Sequence, residues 1–185
     1  MDLEASLVRL CGSEQQATYL VESTAAEVGV DPDSADQTLV ALALCKGGRP
    51  PESVAAALTW RGFESFCSRL FMAAGYRVRE NVILREPRAQ IDMVAFGPSF
   101  LLSVDCKHWK RGHSPSVLSG FARERLRRSR LLRRDLADPR PILSAILSFS
   151  EPEGRFVDGV AVVPLRTLSS FLESVESYSE MLEFS

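Results

Sequence analysis

Two residues of opposite charge stand at the end of an apolar run, in the stretch SVDCKHWKR. Asp105 and Lys107 are separated by one position, and such residues point to the same face of a β-strand. A carboxylate and an ammonium group placed in this way form either a structural ion pair or half of a site for a cation and a phosphate. The surrounding elements distinguish these two interpretations.

Two further carboxylates precede this pair along the chain. Asp92 stands in the apolar stretch QIDMVAFG, where burying an acid is costly unless it is paired or binds a cation. The turn at residues 97–99 separates this stretch from FLLSVDCK, which predicts an antiparallel hairpin with Asp92 beside Asp105. Glu64 lies on the helix that is predicted before these strands.

The chemistry of such a group follows from its charges. Neighbouring carboxylates repel each other, and a divalent cation between them removes that cost. Mg²⁺ and Mn²⁺ prefer oxygen ligands, and a metal held in this way polarises a phosphodiester and activates water. Lys107 would neutralise the charge that develops on the phosphate and hold the attacking water. Cys106 is not expected to be a nucleophile, because strand alternation turns it away from the acids.

These residues resemble a known family. Asp92 followed by Asp105-x-Lys107 at the end of the next strand, with Glu64 on the preceding helix, resembles the PD-(D/E)xK nuclease superfamily. The segments RGFESFCSRLFMAAGYRVREN, QIDMVA and SVDCKHWK look most like Mrr-type restriction nucleases and archaeal Holliday-junction resolvases. Ile91 stands where that pattern often has a proline, and Asp105 stands where glutamate is commoner.

The resemblance implies a fold, an activity and a set of site residues. The fold would be restriction-endonuclease-like, an α/β architecture with a mixed sheet flanked by helices, after an all-helical N-terminal extension. The activity would be Mg²⁺- or Mn²⁺-dependent hydrolysis of phosphodiester bonds in DNA by an endonuclease. Glu64, Asp92 and Asp105 would bind the metal, and Lys107 would be the catalytic lysine. Relatives of this fold often form dimers, so a homodimer is expected.

The hydrophobic pattern by itself also predicts an α/β architecture. Residues 1–57 have the pattern of successive helices, with Asp31 and Pro32 as the expected start of one of them. Residues 58–185 have the pattern helix–strand–strand–strand–helix–strand–strand–helix, in which FVDGVAVVPL is a single strand. We therefore expect an N-terminal helical region to end at residue 57 and a nuclease domain to follow.

Positive charge is concentrated in the central part of the chain. Residues 1–58 contain 3 basic and 9 acidic residues, residues 59–140 contain 17 and 8, and residues 141–185 contain 2 and 7. Since the formal net charge of the whole chain is only −2, this segregation suggests a polyanion site. Solvated helix faces are the ordinary alternative.

One predicted helix, from about Pro115 to Asp138, carries many of these arginines. Spacings of three or four place four of them on one face, where they are expected to bind backbone phosphates: Arg123, Arg127, Arg130 and Arg134. Lys110 and Arg111 follow the Asp105-x-Lys107 motif and are expected to touch the scissile strand. Trp109 is expected either to stack on a base or to pack at the edge of the core.

Composition excludes several classes of protein. The chain of 185 residues is 45% hydrophobic and 25% charged, which is ordinary globular usage. No apolar run approaches the roughly 20 residues of a membrane span, and the N-terminus lacks the pattern of a secretory signal. The four cysteines form no CxxC pair, and with two histidines a zinc site is not expected. A cytoplasmic location is expected.

Two other functions stay open. A nuclease-fold protein that has lost turnover would bind nucleic acid or a partner, and replacing Asp92 or Lys107 would affect this binding only through charge. A structural subunit would assemble through the acidic helices of residues 1–58. Their negative charge argues against a DNA-reading helix-turn-helix, so these helices are expected to dimerise, to dock a protein or to cover a sheet edge.

Overall fold

The chain forms two units, Met1–Ala73 and Ala74–Ser185. A computed structural model describes residues 2–31, 36–109, 112–149, 155–175 and 177. The described part of the first unit is helical, and the second unit contains a six-stranded mixed sheet with helices packed against it. The predicted α/β architecture is therefore confirmed at this level.

Short polar side chains set the starts of three helices in the first unit. Asp2, Ser13 and Asp36 each accept a hydrogen bond from a backbone N–H of the first turn, as helix caps do. The start predicted at Asp31 and Pro32 adjoins residues 32–35, which lie outside the described residues, and the next described helix is capped by Asp36 instead. The described helices of this unit are α1 (Leu3–Cys11), α2 (Glu14–Val28), α3 (Gln37–Lys46), α4 (Pro51–Ala55) and α5 (Trp60–Ala73).

Helix α5 shows the amphipathic pattern that its sequence predicts. Phe63, Phe66, Cys67 and Phe71 are buried at spacings of three and four. This helix belongs to the first unit and carries Glu64.

The sheet of the second unit combines antiparallel and parallel strands. Its spatial order is β1-β2-β3-β4-β6-β5. The pairs β1–β2, β2–β3 and β5–β6 are antiparallel, whereas β3–β4 and β4–β6 are parallel. The predicted hairpin of β2 and β3 is therefore confirmed. The strands are β1 (Arg77–Leu84), β2 (Ala89–Phe96), β3 (Leu101–Lys107), β4 (Ile142–Ser148), β5 (Arg155–Val157) and β6 (Val160–Pro164).

The prediction of one strand over FVDGVAVVPL is wrong. Asp158 and Gly159 both have positive φ, at 48° and 77°, and they join β5 to β6. Two consecutive residues of positive φ are typical of the tight turn that connects twisted antiparallel strands, and Asp-Gly is a preferred sequence for it. The segment therefore folds back on itself, with β6 inside the sheet and β5 at its edge.

Helix α6 (Pro115–Asp135) lies across one face of the sheet and ends three residues before the predicted Asp138. Its first half packs with β4 and β6 through Ala122, Ile146 and Val162. Its second half packs with β2, β3 and β4 in a separate cluster around Leu131 and Leu132. The middle of α6 therefore lies over the central strands. Helix α7 (Leu168–Ser174) follows β6.

The two faces of β3 differ in chemistry. Leu102, Val104 and Cys106 are buried on one face, whereas Ser103 and Asp105 alternate with them on the face toward α6. The polar residues of β3 therefore lie under the middle of this helix. Among the described residues, no helix has both the length and the apolar character that a membrane span requires.

Candidate active site

The hairpin of β2 and β3 brings two acids together. Its ladder runs to the pair Met93–Val104, and the next position on each strand is Asp92 or Asp105. There the Oδ2 atom of Asp92 accepts a hydrogen bond of 2.7 Å from the backbone N–H of Cys106. The carboxyl groups of Asp92 and Asp105 are within hydrogen-bonding reach of each other.

Lys107 completes this group at the end of β3. Its Nζ atom lies 2.6 Å from Oδ2 of Asp105. Lys107 is level with Ser148, the last residue of the neighbouring parallel strand β4. The group therefore lies at the carboxyl ends of parallel strands, which is where ligands bind in open α/β sheets.

A buried arginine lies beside the acids. Arg125 of α6 is only 2% exposed, and its Nη2 atom donates a hydrogen bond of 2.8 Å to Oγ of Ser103. Its Nε and Nη1 atoms have no hydrogen-bond partner among the described residues. Burial lowers the pKa of Arg125 to about 10, although the negative charges of Asp105 and Asp92 favour its charged form. A cation so sparsely hydrogen-bonded is costly to bury, and these carboxylates offset part of that cost.

A second arginine of α6 approaches the other oxygen of Asp105. The Nη1 atom of Arg128 lies 3.7 Å from Oδ1 of Asp105 and donates a hydrogen bond of 3.1 Å to the carbonyl oxygen of Gln90. Its Nε atom donates to Oε1 of Glu124 at 2.9 Å. Asp105 therefore has Lys107 at one oxygen and Arg128 near the other.

The surroundings of Asp105 keep its carboxylate charged. Asp105 as a residue is 7% exposed, and burial by itself raises the pKa of its carboxyl group. The positive charges of Lys107 and Arg125, with the hydrogen bonds that link Asp105 to Lys107 and Asp92, outweigh burial and hold the pKa below its ordinary value. A charged carboxylate beside a second acid is suited to bind a cation.

The two carboxylates fit a hard divalent cation. Mg²⁺ keeps several of its waters and is commonly bound by one or two carboxylates together with substrate phosphates. Asp92 and Asp105 supply such a pair of ligands. Within the described residues, no group of three or more His, Cys, Asp or Glu side chains is placed to hold a metal ion.

The structure describes the other predicted site residues separately. Glu64 lies on α5 in the first unit, where its carboxylate accepts a hydrogen bond from the indole N–H of Trp60. Its role as a metal ligand stays a prediction. Lys110 and Arg111 lie outside the described residues.

Trp109 follows the second of its two predicted alternatives. Its ring centroid lies 5.0 Å from that of Phe121 and 4.1 Å from that of His113. Trp109 and Phe121 both pack against the buried cluster at the first half of α6. Trp109 therefore packs at the edge of the core.

The predicted arginine face of α6 is exposed, but part of it is already engaged within the chain. Arg127 donates two hydrogen bonds, of 2.8 and 2.7 Å, to the carboxylate of Glu124. These bonds, with those from Arg128, lower the pKa of Glu124 to about 2. Arg134 donates a hydrogen bond of 2.5 Å to the carbonyl oxygen of Glu86. The four exposed members of this face are Arg123, Arg127, Arg130 and Arg134.

Sequence reasoning missed Arg125 and Arg128 as members of the site. The signal for Arg125 is its position on the apolar face of α6, where the other residues at spacings of three or four are uncharged. These are Leu118, Ala122, Ser129 and Leu132. A single charge on that face predicts a buried partner on the sheet. Arg128 lies at the border of the face, and its sequence position gives no comparable signal.

Comparison of the chain with protein-family models, curated proteins and solved structures gave no match. Membership of the PD-(D/E)xK superfamily stays a prediction from the sequence.

Proposed function

We propose that this protein is a metal-dependent endonuclease that hydrolyses phosphodiester bonds in DNA, with a restriction-endonuclease-like nuclease domain. The observation that carries the proposal is the position of Asp92 beside Asp105 across β2 and β3. Lys107 adds a cation 2.6 Å from Asp105, at the carboxyl ends of parallel strands.

Each side chain has a task in this reaction. Asp92 and Asp105 would hold Mg²⁺ or Mn²⁺, which would supply a Lewis acid for the phosphodiester and for the activation of water. Lys107 stabilises the negative charge that develops on the phosphate oxygens and orients the attacking water. The ion pair with Asp105 positions the Lys107 ammonium group, and the N–H of Cys106 positions the Asp92 carboxylate.

The test is cleavage of labelled linear, flapped and four-way-junction DNA with Mg²⁺ or Mn²⁺. Asp92→Asn, Asp105→Asn and Lys107→Met are each expected to lower the cleavage rate by about 100-fold or more, as loss of one electrostatic group in an active site does. Asparagine is chosen at position 92 because its side-chain oxygen can still accept the Cys106 hydrogen bond.

Arg85→Gln is the matched control, since Arg85 is an exposed residue in the turn between β1 and β2 and has no task in the proposed reaction. It should cleave at the wild-type rate when purified in the same way. Cleavage that persists in Asp105→Asn would identify a contaminating nuclease and sink the proposal.

A nuclease-fold protein without turnover is the second candidate function. It is favoured by the two cations that face Asp105 and by the lack of a three-residue acid, cysteine or histidine cluster among the described residues. It predicts that calorimetric titration with Mn²⁺ gives no binding that depends on Asp92 and Asp105, although nucleic acid still binds. Saturable Mn²⁺ binding that is lost in Asp105→Asn would exclude it.

A further inference from the structure

Three guanidinium groups surround the ring of Phe96, the last residue of β2, four positions along the strand from Asp92. The Cζ atom of Arg77 lies 4.2 Å from the ring centroid, that of Arg79 lies 5.3 Å away and that of Arg140 lies 6.0 Å away. These distances are typical of cation–π contacts. We call these four residues the Phe96 patch.

The ring of Phe96 contacts the arginines and does not contact a ligand. Phe96 is 8% exposed, so its face is not available to stack on a base. A guanidinium group that lies over a ring keeps its N–H donors in its own plane, where they can point outward. The ring therefore orients the Arg77 and Arg79 side chains before any ligand arrives.

The members of the Phe96 patch differ in their other contacts. Arg140 donates hydrogen bonds of 2.9 and 2.6 Å to the Asp138 carboxylate, and it also donates to the carbonyl oxygen of Gly97. Arg77 and Arg79 are exposed, and among the described residues no hydrogen bond or ion pair occupies either guanidinium group. Their donors are free to bind an anion.

Strand register connects the Phe96 patch with the candidate active site. Arg77 is opposite Phe96, and Arg79 is opposite Val94. Alternation puts Phe96, Val94 and Asp92 on one face of β2, and the four positions from Phe96 to Asp92 span about 13 Å. β1 is an edge strand of the sheet, and Arg77 and Arg79 are exposed on it, on the same side of the β1–β2 pair as Asp92.

Two of the four arginines on the exposed face of α6 are less prepared for an anion. Arg127 is bound to Glu124, and Arg134 is bound to a backbone carbonyl. A phosphate at either residue must replace a hydrogen bond that already exists. At Arg77 and Arg79, a phosphate replaces only water.

We propose that the Phe96 patch binds the phosphodiester backbone of a nucleic acid and directs it along β1 toward Asp92 and Asp105. This inference rests on the proposed function for its substrate class. Guanidinium groups that meet phosphates and no base edges give affinity without sequence preference. Binding at the patch is therefore independent of base sequence and strongly dependent on salt.

The test measures the affinity of the full chain for fluorescein-labelled duplex DNA by fluorescence anisotropy in EDTA. The NaCl concentration is varied from about 50 to about 200 mM, the range in which proteins that contact phosphates lose much of their affinity for DNA. The double variant Arg77→Gln/Arg79→Gln removes two charges and keeps side chains of similar polarity. Each lost phosphate contact lowers the slope of log affinity against log salt by about 0.9, so a decrease of about 2 is expected. At the lowest salt, affinity should fall by about tenfold or more.

Arg85→Gln/Arg88→Gln is the matched control, because it removes the same charge from exposed positions of the same unit, in the turn between β1 and β2. It should change the affinity by less than about threefold and leave the slope nearly unchanged, as loss of general charge alone would. The inference is overturned if the control loses as much affinity as the β1 variant, if the β1 variant keeps the wild-type slope, or if the wild type does not bind DNA.

The same variants separate this inference from the proposed function. A protein that binds DNA through Arg77 and Arg79 but never cleaves it would keep the inference and remove the nuclease. Metal-dependent cleavage with undiminished binding by the β1 variant would do the reverse.

Discussion

At the scale of single residues, the candidate site depends on polar groups that are buried under α6. Ser103 and Ser144 are opposite each other on β3 and β4, and both are fully buried. Ser103 accepts from the Arg125 guanidinium at 2.8 Å, whereas Ser144 donates to the Ser129 hydroxyl at 2.7 Å. Ser103 therefore has a charged partner, whereas Ser144 has a neutral one.

This difference predicts unequal effects of the same substitution. Ser103→Ala should lower the free energy of unfolding by about 1.5–3 kcal/mol, because it takes a hydrogen-bond partner from a buried charged group. Ser144→Ala should cost about 0.5–1.5 kcal/mol, as expected for a neutral pair. Urea denaturation followed by circular dichroism measures both values, and equal losses would contradict the role assigned to Arg125.

The same residues show what sequence can and cannot predict about the site. Alternation in QIDMVAFG and SVDCK was enough to place Asp92 beside Asp105 and to turn Cys106 away, since side-chain direction in a strand has a fixed period. Spacing along α6 predicts an exposed face of four arginines and gives no role to Arg125, because arginine is seldom fully buried. The burial of Arg125 depends on its contact with Ser103, which composition alone does not reveal.

At the scale of elements, the hydrophobic pattern predicted the turn between β5 and β6 wrongly. An apolar segment of ten residues suggests one strand, but its third and fourth residues, Asp158 and Gly159, have positive-φ conformations. The hydroxyl of Ser119 on α6 donates a hydrogen bond to the Asp158 carboxylate, which also fastens this turn to the helix. Local turn chemistry therefore outweighed hydrophobic continuity.

Two glycines of this region should respond in opposite directions to the same change. Gly159→Ala should lower the free energy of unfolding by about 1–2 kcal/mol, since a side chain is strained at positive φ. Gly120→Ala should raise it by about 0.5–1 kcal/mol, because Gly120 lies within α6 and a Cβ atom there would meet nothing within 4 Å. Thermal and urea denaturation check both signs, and a destabilising Gly120→Ala would contradict the helical setting.

At the scale of the whole molecule, charge is separated along the sequence. A chain with a net charge of −2 concentrates its arginines in the second unit, and several of its carboxylates are bound to them. Within the part of the chain that the structure describes, the pKa values of several acids lie below their ordinary values, among them Asp36, Asp105, Glu124 and Asp138. Folding therefore favours their charged forms.

The lowered pKa values of these acids determine whether the free energy of unfolding rises or falls with pH in acidic solution. An acid whose pKa is lowered in the folded state contributes its full stabilisation at pH values above its ordinary pKa, which is 4.5 for Glu124. The contribution is lost as the pH falls through the folded value, which is about 2 for Glu124. The free energy of unfolding should therefore fall steadily as the pH is lowered from about 4.5 toward 2.

Urea denaturation at intervals of pH measures this dependence. The Glu124→Gln variant should show a shallower decrease over the same window, because one fewer group takes up a proton on unfolding. Parallel curves for the wild type and the variant would contradict the pKa that the Arg127 and Arg128 hydrogen bonds give to Glu124.

The hydrogen bond from the Cys106 N–H to Asp92 has a consequence for evolution. The Asp92 oxygen accepts a backbone N–H of β3 that would otherwise lack this partner. Selection for folding alone would therefore retain an oxygen acceptor at position 92 in a descendant that had lost catalytic activity. An aspartate at position 92 is therefore only weak evidence that a homologue is catalytically active. Asparagine would be the informative change, since it preserves the acceptor and discards the charge.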